Sequence, residues 1–195
     1  MTVAQSWDEL RSSALGCTAC PLATSRTNVV FGSGAIDASV MFVGEGPGER
    51  EDLSGEPFVG RAGKLLTSLI EEVGLTRESV YIANVVKCRP PSNRNPRPEE
   101  IAACRPYLET QIAMIRPKVI VTLGNFATKL LLDTDTGITK LRGQVFPYQP
   151  GTVIIPTLHP AAVLRAGGHP LANARADFLL IRRTIAGGEV SEVGA

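Results

Sequence analysis

Aromatic residues make up only 5% of this 195-residue chain, with a single tryptophan, and histidine occurs twice, at His159 and His169. Chemistry that needs an imidazole is thereby confined to two positions. Long hydrophobic runs are missing: no stretch of 18 apolar residues offers a membrane span, and the opening MTVAQSWDEL has neither the basic start nor the apolar stretch of a secretion signal. The expectation is a cytoplasmic protein that meets no membrane and, in a cell without compartments, has access to the chromosome. An excess of either charge is missing too, since 20 Lys and Arg stand against 19 Asp and Glu for a net charge of +1. That balance neither demands nor excludes nucleic acid, so a basic contact surface has to be local. With 44% hydrophobic and 20% charged residues the composition is that of an ordinary globular chain. At this length one domain spanning 1–195 is expected, with its core at about residues 10–185 and a frayed tail in AGGEVSEVGA, 186–195.

What is present is an alternation of short apolar runs and helical patterns. The runs at 40–43, 80–86, 118–123 and 152–158 are rich in Val and Ile and lack polar alternation, as parallel strands buried on both faces do. Ser6 to Glu9 spells a capping box for a first helix that leads into Cys17. Further helices are predicted from Leu65 to a stop at Gly74, from a start at Pro98 through Ile101 to Met114, over Phe126 to Leu132, and from about Leu171 to Ile185. The predicted class is α/β, a compact sheet with helices on both faces, whose ligands bind at the carboxyl ends of the strands.

Directly after the first run comes VGEGPGEREDLSGEPFVGRAGKLL, beginning at Val43. Glycine loops in this position usually hold anions, yet Glu45, Glu49, Glu51 and Asp52 oppose a phosphate. The spelling G-x-G-x-G over Gly44, Gly46 and Gly48 also matches neither phosphate motif. A neutral ligand is expected to dock here.

The four cysteines fall as C-x2-C at Cys17 and Cys20 and C-x15-C at Cys88 and Cys104. In a reducing compartment this pattern points to a metal centre rather than disulfides. With no histidine nearby, four thiolates suit tetrahedral zinc or a four-iron, four-sulfur cluster equally, and the spacing does not separate them.

Taken together and in order, GEGPGEREDLSGEPFVGRAGKLL, NVVKCRPPSNRNPRPEEIAACRP, HPAAVLR and the four cysteines resemble the family 4 uracil-DNA glycosylases over about residues 10–165. The resemblance implies a single domain with a central four-stranded parallel sheet, a 4Fe-4S cluster on Cys17, Cys20, Cys88 and Cys104, and hydrolysis of the bond between uracil and deoxyribose in DNA. The partner is then uracil-containing DNA, single- or double-stranded, free uracil is the product, and a monomer is expected. Phe58 takes the place of the aromatic that stacks on an extruded base. Asn84 takes that of the amide reading the base edge, since one carboxamide accepts from uracil N3–H and donates to O4, whereas cytosine presents the opposite pattern. His159 takes that of the donor to uracil O2, where charge develops as the bond breaks.

Glu45 and Gly46 resemble the segment wrapping one edge of the base, and Glu51 a carboxylate on the C5 side, which excludes thymine's methyl, orients water or steadies the sugar cation. Relatives of other branches carry an aspartate at the Gly46 position to orient water; with glycine there, Asn93 is a second candidate for that work. Val163 and Leu164 match an apolar wedge and Arg165 a phosphate contact. Lys87, Arg89, Arg94, Arg97 and Arg105 are expected to supply a local basic patch. Two rival readings remain: a relative that traps uracil-DNA covalently, disfavoured because no histidine lies between Cys88 and Cys104, and a non-enzymatic iron-sulfur or zinc protein that binds nucleic acid.

Overall fold

The computed structural model describes residues 6–187. The tail expected at 186–195 lies outside these apart from Ala186 and Gly187. Helix α1 (Trp7–Leu15) opens on the expected capping box, with Glu9 N–H donating to Ser6 Oγ at 3.2 Å and Ser6 N–H to Glu9 Oε2 at 3.1 Å. There follow β1 (Ser33–Gly34), β2 (Val40–Gly44), α2 (Glu49–Ser54), α3 (Arg61–Glu72), β3 (Tyr81–Asn84), α4 (Pro98–Ile115) and β4 (Val119–Leu123). The remainder is α5 (Asn125–Leu132), α6 (Ile138–Leu141), β5 (Phe146–Gln149), β6 (Thr152–Thr157), α7 (Pro160–Ala166) and α8 (Gly168–Ile185).

The sheet has six strands in the order β1-β3-β2-β4-β6-β5. Its centre is the expected parallel set β3, β2, β4, β6, and short antiparallel strands close both edges. The four-stranded expectation therefore omits two edge strands, which carry no continuous apolar run because they are covered on one side at most. The predicted run 80–86 is a strand only to Asn84: Val85 and Val86 leave the sheet and donate to the main-chain oxygens of Gly44 and Glu45.

Burial on both faces explains the unbroken apolar runs. In β2, Val40 and Phe42 face a core completed by Leu66, Leu69 and Ile70 of α3 and Phe178 and Ile181 of α8. Met41 and Val43 face the opposite core, under Leu108, Ile112 and Ile115 of α4. The rings of Phe42 and Phe178 stack at 5.6 Å. Register aligns Gly44 with Asn84, Val43 with Thr122, and Leu123 with Thr157, so the carboxyl ends of all four parallel strands lie along one rim. The chain leaves β2 toward β3 on one side and returns through α4 to β4 on the other, and such a reversal opens a crevice at that rim. Among the described residues, no helix is long and apolar enough to cross a membrane.

Candidate active site

A cleft of about 970 Å³ opens at this rim, lined among others by Glu45, Phe58, Asn84, Gly124, His159 and Arg165. Glu51, Gly46 and Asn93 line it as well. The structure thus brings together side chains from the loops after β2, β3 and β6, as the sequence reading requires. It adds Gly124 after β4 and the start of α5, Asn125, Phe126 and Lys129, which that reading missed. Their signal was available: Gly-Asn directly after the apolar run 118–123 sits where ligands of parallel sheets bind.

Phe58 is held in an uncommon conformation. Its φ is 52°, left-handed for a residue with a side chain, and three devices support it. The Arg77 guanidinium donates to the carbonyl of Pro57. Glu51 Oε1 accepts the N–H groups of both Val59 and Gly60 at 2.9 Å. Gly63 leaves the room that the Phe58 carbonyl occupies, since a Cβ there would fall 1.7 Å from that oxygen. The ring is consequently only 7% exposed, tilted 34° to the His159 imidazole with centroids 5.8 Å apart. A Cβ on Gly44 would meet the same ring at 2.6 Å and Asn84 Oδ1 at 2.4 Å, so phenyl and carboxamide also converge.

Asn84 ends β3, is 2% exposed, and its Oδ1 is buried without a hydrogen-bond partner among the described residues. An orphaned acceptor in a dry wall is costly unless a ligand supplies the donor. His159 caps α7: its Nδ1 accepts the Ala161 N–H at 3.1 Å, so the remaining proton of a neutral ring sits on Nε2. Burial, assisted by the charge of Arg165 and opposed by Glu51, pulls this imidazole from 6.5 to about 4. Gly124, at φ +88°, allows close approach, since a Cβ there would lie 2.9 Å from His159 Cβ. Burial raises the carboxyl of Glu45 above its ordinary value.

Other assignments change on contact with the structure. Val163 is 2% exposed and packs in the core with α3 and α8, so a wedge at this corner rests on Leu164 alone, which is 42% exposed. Asn93 is exposed, and its Oδ1 accepts from Arg89 Nε at 2.8 Å. The expected basic patch is thinned: Lys87 is buried, Arg94 is committed to the buried Glu100 at 2.6 Å, and Arg105 pairs with Glu109. His169 is exposed in the first turn of α8 rather than in a loop.

Cys17, Cys20, Cys88 and Cys104 are free thiols around one small cavity that Lys87 and Arg26 also line. Cys104 Sγ accepts the Lys87 N–H at 3.2 Å and Cys88 Sγ the Arg26 guanidinium at 3.4 Å. Among the described residues, no group of three or more His, Cys, Asp or Glu side chains is arranged to hold a metal ion.

Glu51 serves as the clamp for the Phe58 loop: Glu51→Gln keeps one oxygen for both N–H groups and is expected to retain the cleft's reaction within roughly tenfold, whereas Glu51→Ala leaves two donors unpaired and loses ~10²-fold in rate. Equal losses in the two variants, measured under single-turnover conditions, would instead give the negative charge itself the essential part.

The pattern of the Uracil DNA glycosylase superfamily matches residues 31–180. Three curated relatives, each named Type-4 uracil-DNA glycosylase, cover most of the chain. The protein of Thermotoga maritima is 57% identical over 76% of this chain and 78% of its own. That of Sulfurisphaera tokodaii is 50% identical over 82% and 76%, and that of Archaeoglobus fulgidus 47% identical over 82% and 84%. Sequence pattern, relatives and the cleft at the strand ends agree, and the chain belongs to the type-4 branch of the uracil DNA glycosylase superfamily.

Proposed function

We infer that the protein removes uracil from DNA by hydrolysing the N-glycosidic bond of an extruded deoxyuridine, leaving an abasic site and free uracil. The observation that carries this reading is the bare Oδ1 of Asn84, a buried acceptor beside the Phe58 ring in a cleft that His159 also lines. Uracil N3–H satisfies it, and cytosine N3, an acceptor, repels it. The Phe58 ring covers one face of the base. His159 Nε2–H donates to O2 as the C1′–N1 electron pair passes to the base, a contact strongest when the charge has developed. Water then adds hydroxide to C1′, and its second proton neutralises the departing uracil. Glu45, a carboxylate in the same cleft, steadies the cationic sugar, accepts that proton from the attacking water and passes it on to the uracil anion, a role that no other carboxylate of the cleft shares as freely while Glu51 is bound to two N–H groups. Asn93 and Arg165 both line the cleft, and both are assigned to the DNA strand rather than to the reacting atoms.

The neutral imidazole makes a pH prediction. The single-turnover rate begins to fall in acid as Glu45, whose carboxyl burial raises above its ordinary value, takes up a proton, and falls further as His159 protonates near 4, followed by an NMR titration of the ring. Between 4 and 6.5 the unfolded chain binds the proton and the folded chain does not, so the burial of His159 lowers stability as pH drops through that window.

The four thiols fit a 4Fe-4S cluster better than zinc. A cluster spreads four thiolates around a body larger than a single ion, and Cys17, Cys20, Cys88 and Cys104 line one shared cavity. The wholly buried ammonium of Lys87, which has no carboxylate partner among the described residues, suits a negatively charged thiolate centre. When bound, the cluster supplies a structural tie between the α1 region, α4 and the segment after β3. Broad visible absorption with equimolar iron and sulfide supports it; colourless protein carrying zinc overturns it. The acting unit of this reading is a monomer, and its substrate lies with the chromosome in the cytoplasm of a prokaryotic cell.

The direct test is incubation with single- and double-stranded uracil-DNA followed by alkaline scission. Turnover supports the reading; a denaturation-resistant adduct or no reaction favours one of the rivals.

A further inference from the structure

Asn84 presents its Oδ1 unbonded, so the aim of the carboxamide depends on how firmly the Asn84 main chain is held. On one side the pairing with Gly44 in β2 holds it. On the other side the hold is Lys87. Its Nζ, wholly inside the protein, donates to the Asn84 carbonyl at 2.9 Å and to Gln111 Oε1 at 2.6 Å. Gln111 in turn donates to the Phe31 carbonyl at 2.9 Å and to the Tyr81 hydroxyl at 3.0 Å. Tyr81 begins β3 and Asn84 ends it, so one buried network grips both ends of the strand. The main-chain N–H of Lys87 donates to Cys104 Sγ, and Lys87 lines the cysteine cavity while Asn84 lines the cleft.

An ammonium buried here is expensive, and a methionine of the same length would fill the space without desolvating a charge. We propose that Lys87 is a positioning residue for base recognition: it fixes the Asn84 main chain so that the carboxamide meets the uracil edge, and it couples that edge to the cysteine centre. This rests on the uracil reading given above.

The test is Lys87→Met in the full chain with its metal centre. Positioning predicts that inhibition by free uracil weakens ~10-fold and single-turnover excision slows by a similar factor, the loss of a charge-assisted hydrogen bond. Affinity for DNA already carrying an abasic site, which offers no base to read, stays within about twofold, and the visible absorption is retained. Uracil inhibition within about twofold of the parent, or an equal fall in affinity for uracil and abasic DNA, overturns the proposal. If the variant loses its visible absorption, Gln111→Met decides, because it cuts the network without touching a cysteine contact. There a ~3-fold weaker uracil inhibition supports the proposal and an unchanged value overturns it. A parent protein that folds but leaves uracil-DNA intact overturns the reading of the site, and this inference with it.

Discussion

His159→Ala is expected to lower single-turnover uracil excision by ~10²–10³, the usual loss when one donor to a developing oxyanion is removed. The fold should survive. The imidazole spends Nδ1 on the Ala161 N–H, and losing such a cap costs about 1 kcal/mol, or about 2–4 °C of melting temperature at this size. Nε2 is the part that meets substrate, so rate and stability separate in this variant. The burial that holds the ring near pKa 4 keeps a second positive charge out of a cleft that must release an anion, and it leaves a single, correctly aimed proton. Affinity for abasic DNA, which lacks O2, should change little. A rate within threefold of the parent would remove His159 from the chemistry.

Asn84→Asp is expected to have the second largest effect, and in two directions. An ionised carboxylate still accepts from uracil N3–H but repels O4 where the amide donated, so uracil excision falls ~10²-fold. The position is almost without solvent, and burial raises a carboxyl pKa against the opposing pull of the Lys87 ammonium at the Asn84 carbonyl, so the protonated acid becomes populated as pH falls. That acid can donate to cytosine N3 while accepting from its exocyclic amine. Cytosine excision should therefore appear, and should be stronger at pH 6 than at pH 8, on matched oligonucleotides. Retention of full uracil activity with no cytosine activity would show that the carboxamide does not read the base.

Much of this was visible in the sequence because the relevant signals are local. Strands buried on both faces leave unbroken Val and Ile runs, and in a parallel sheet their carboxyl ends mark the ligand rim, which pointed to the loop from Val43, to Asn84 and to HPAAVLR, while the family resemblance singled out Phe58 and His159 within those stretches. What stayed hidden depends on partners distant in the chain. Lys87 sits in NVVKCRPP among exposed-looking arginines, yet its side chain meets Gln111 of α4 in the interior. Arg94 seemed free to meet phosphate until Glu100 claimed it. Val163 and Leu164 are adjacent and chemically alike, and only the turn of α7 decides that the first enters the core and the second faces solvent. The edge strands Ser33–Gly34 and Phe146–Gln149 were illegible because half-exposed, short strands leave no apolar run.

The most direct measurement is a crystal structure of the protein soaked with uracil. One pyrimidine should stack on the Phe58 ring, with N3 within hydrogen-bond distance of Asn84 Oδ1 and O2 within reach of His159 Nε2. A base bound elsewhere, or a ring in this cleft that leaves the Asn84 oxygen bare, would contradict the assignment of these side chains to one nucleobase.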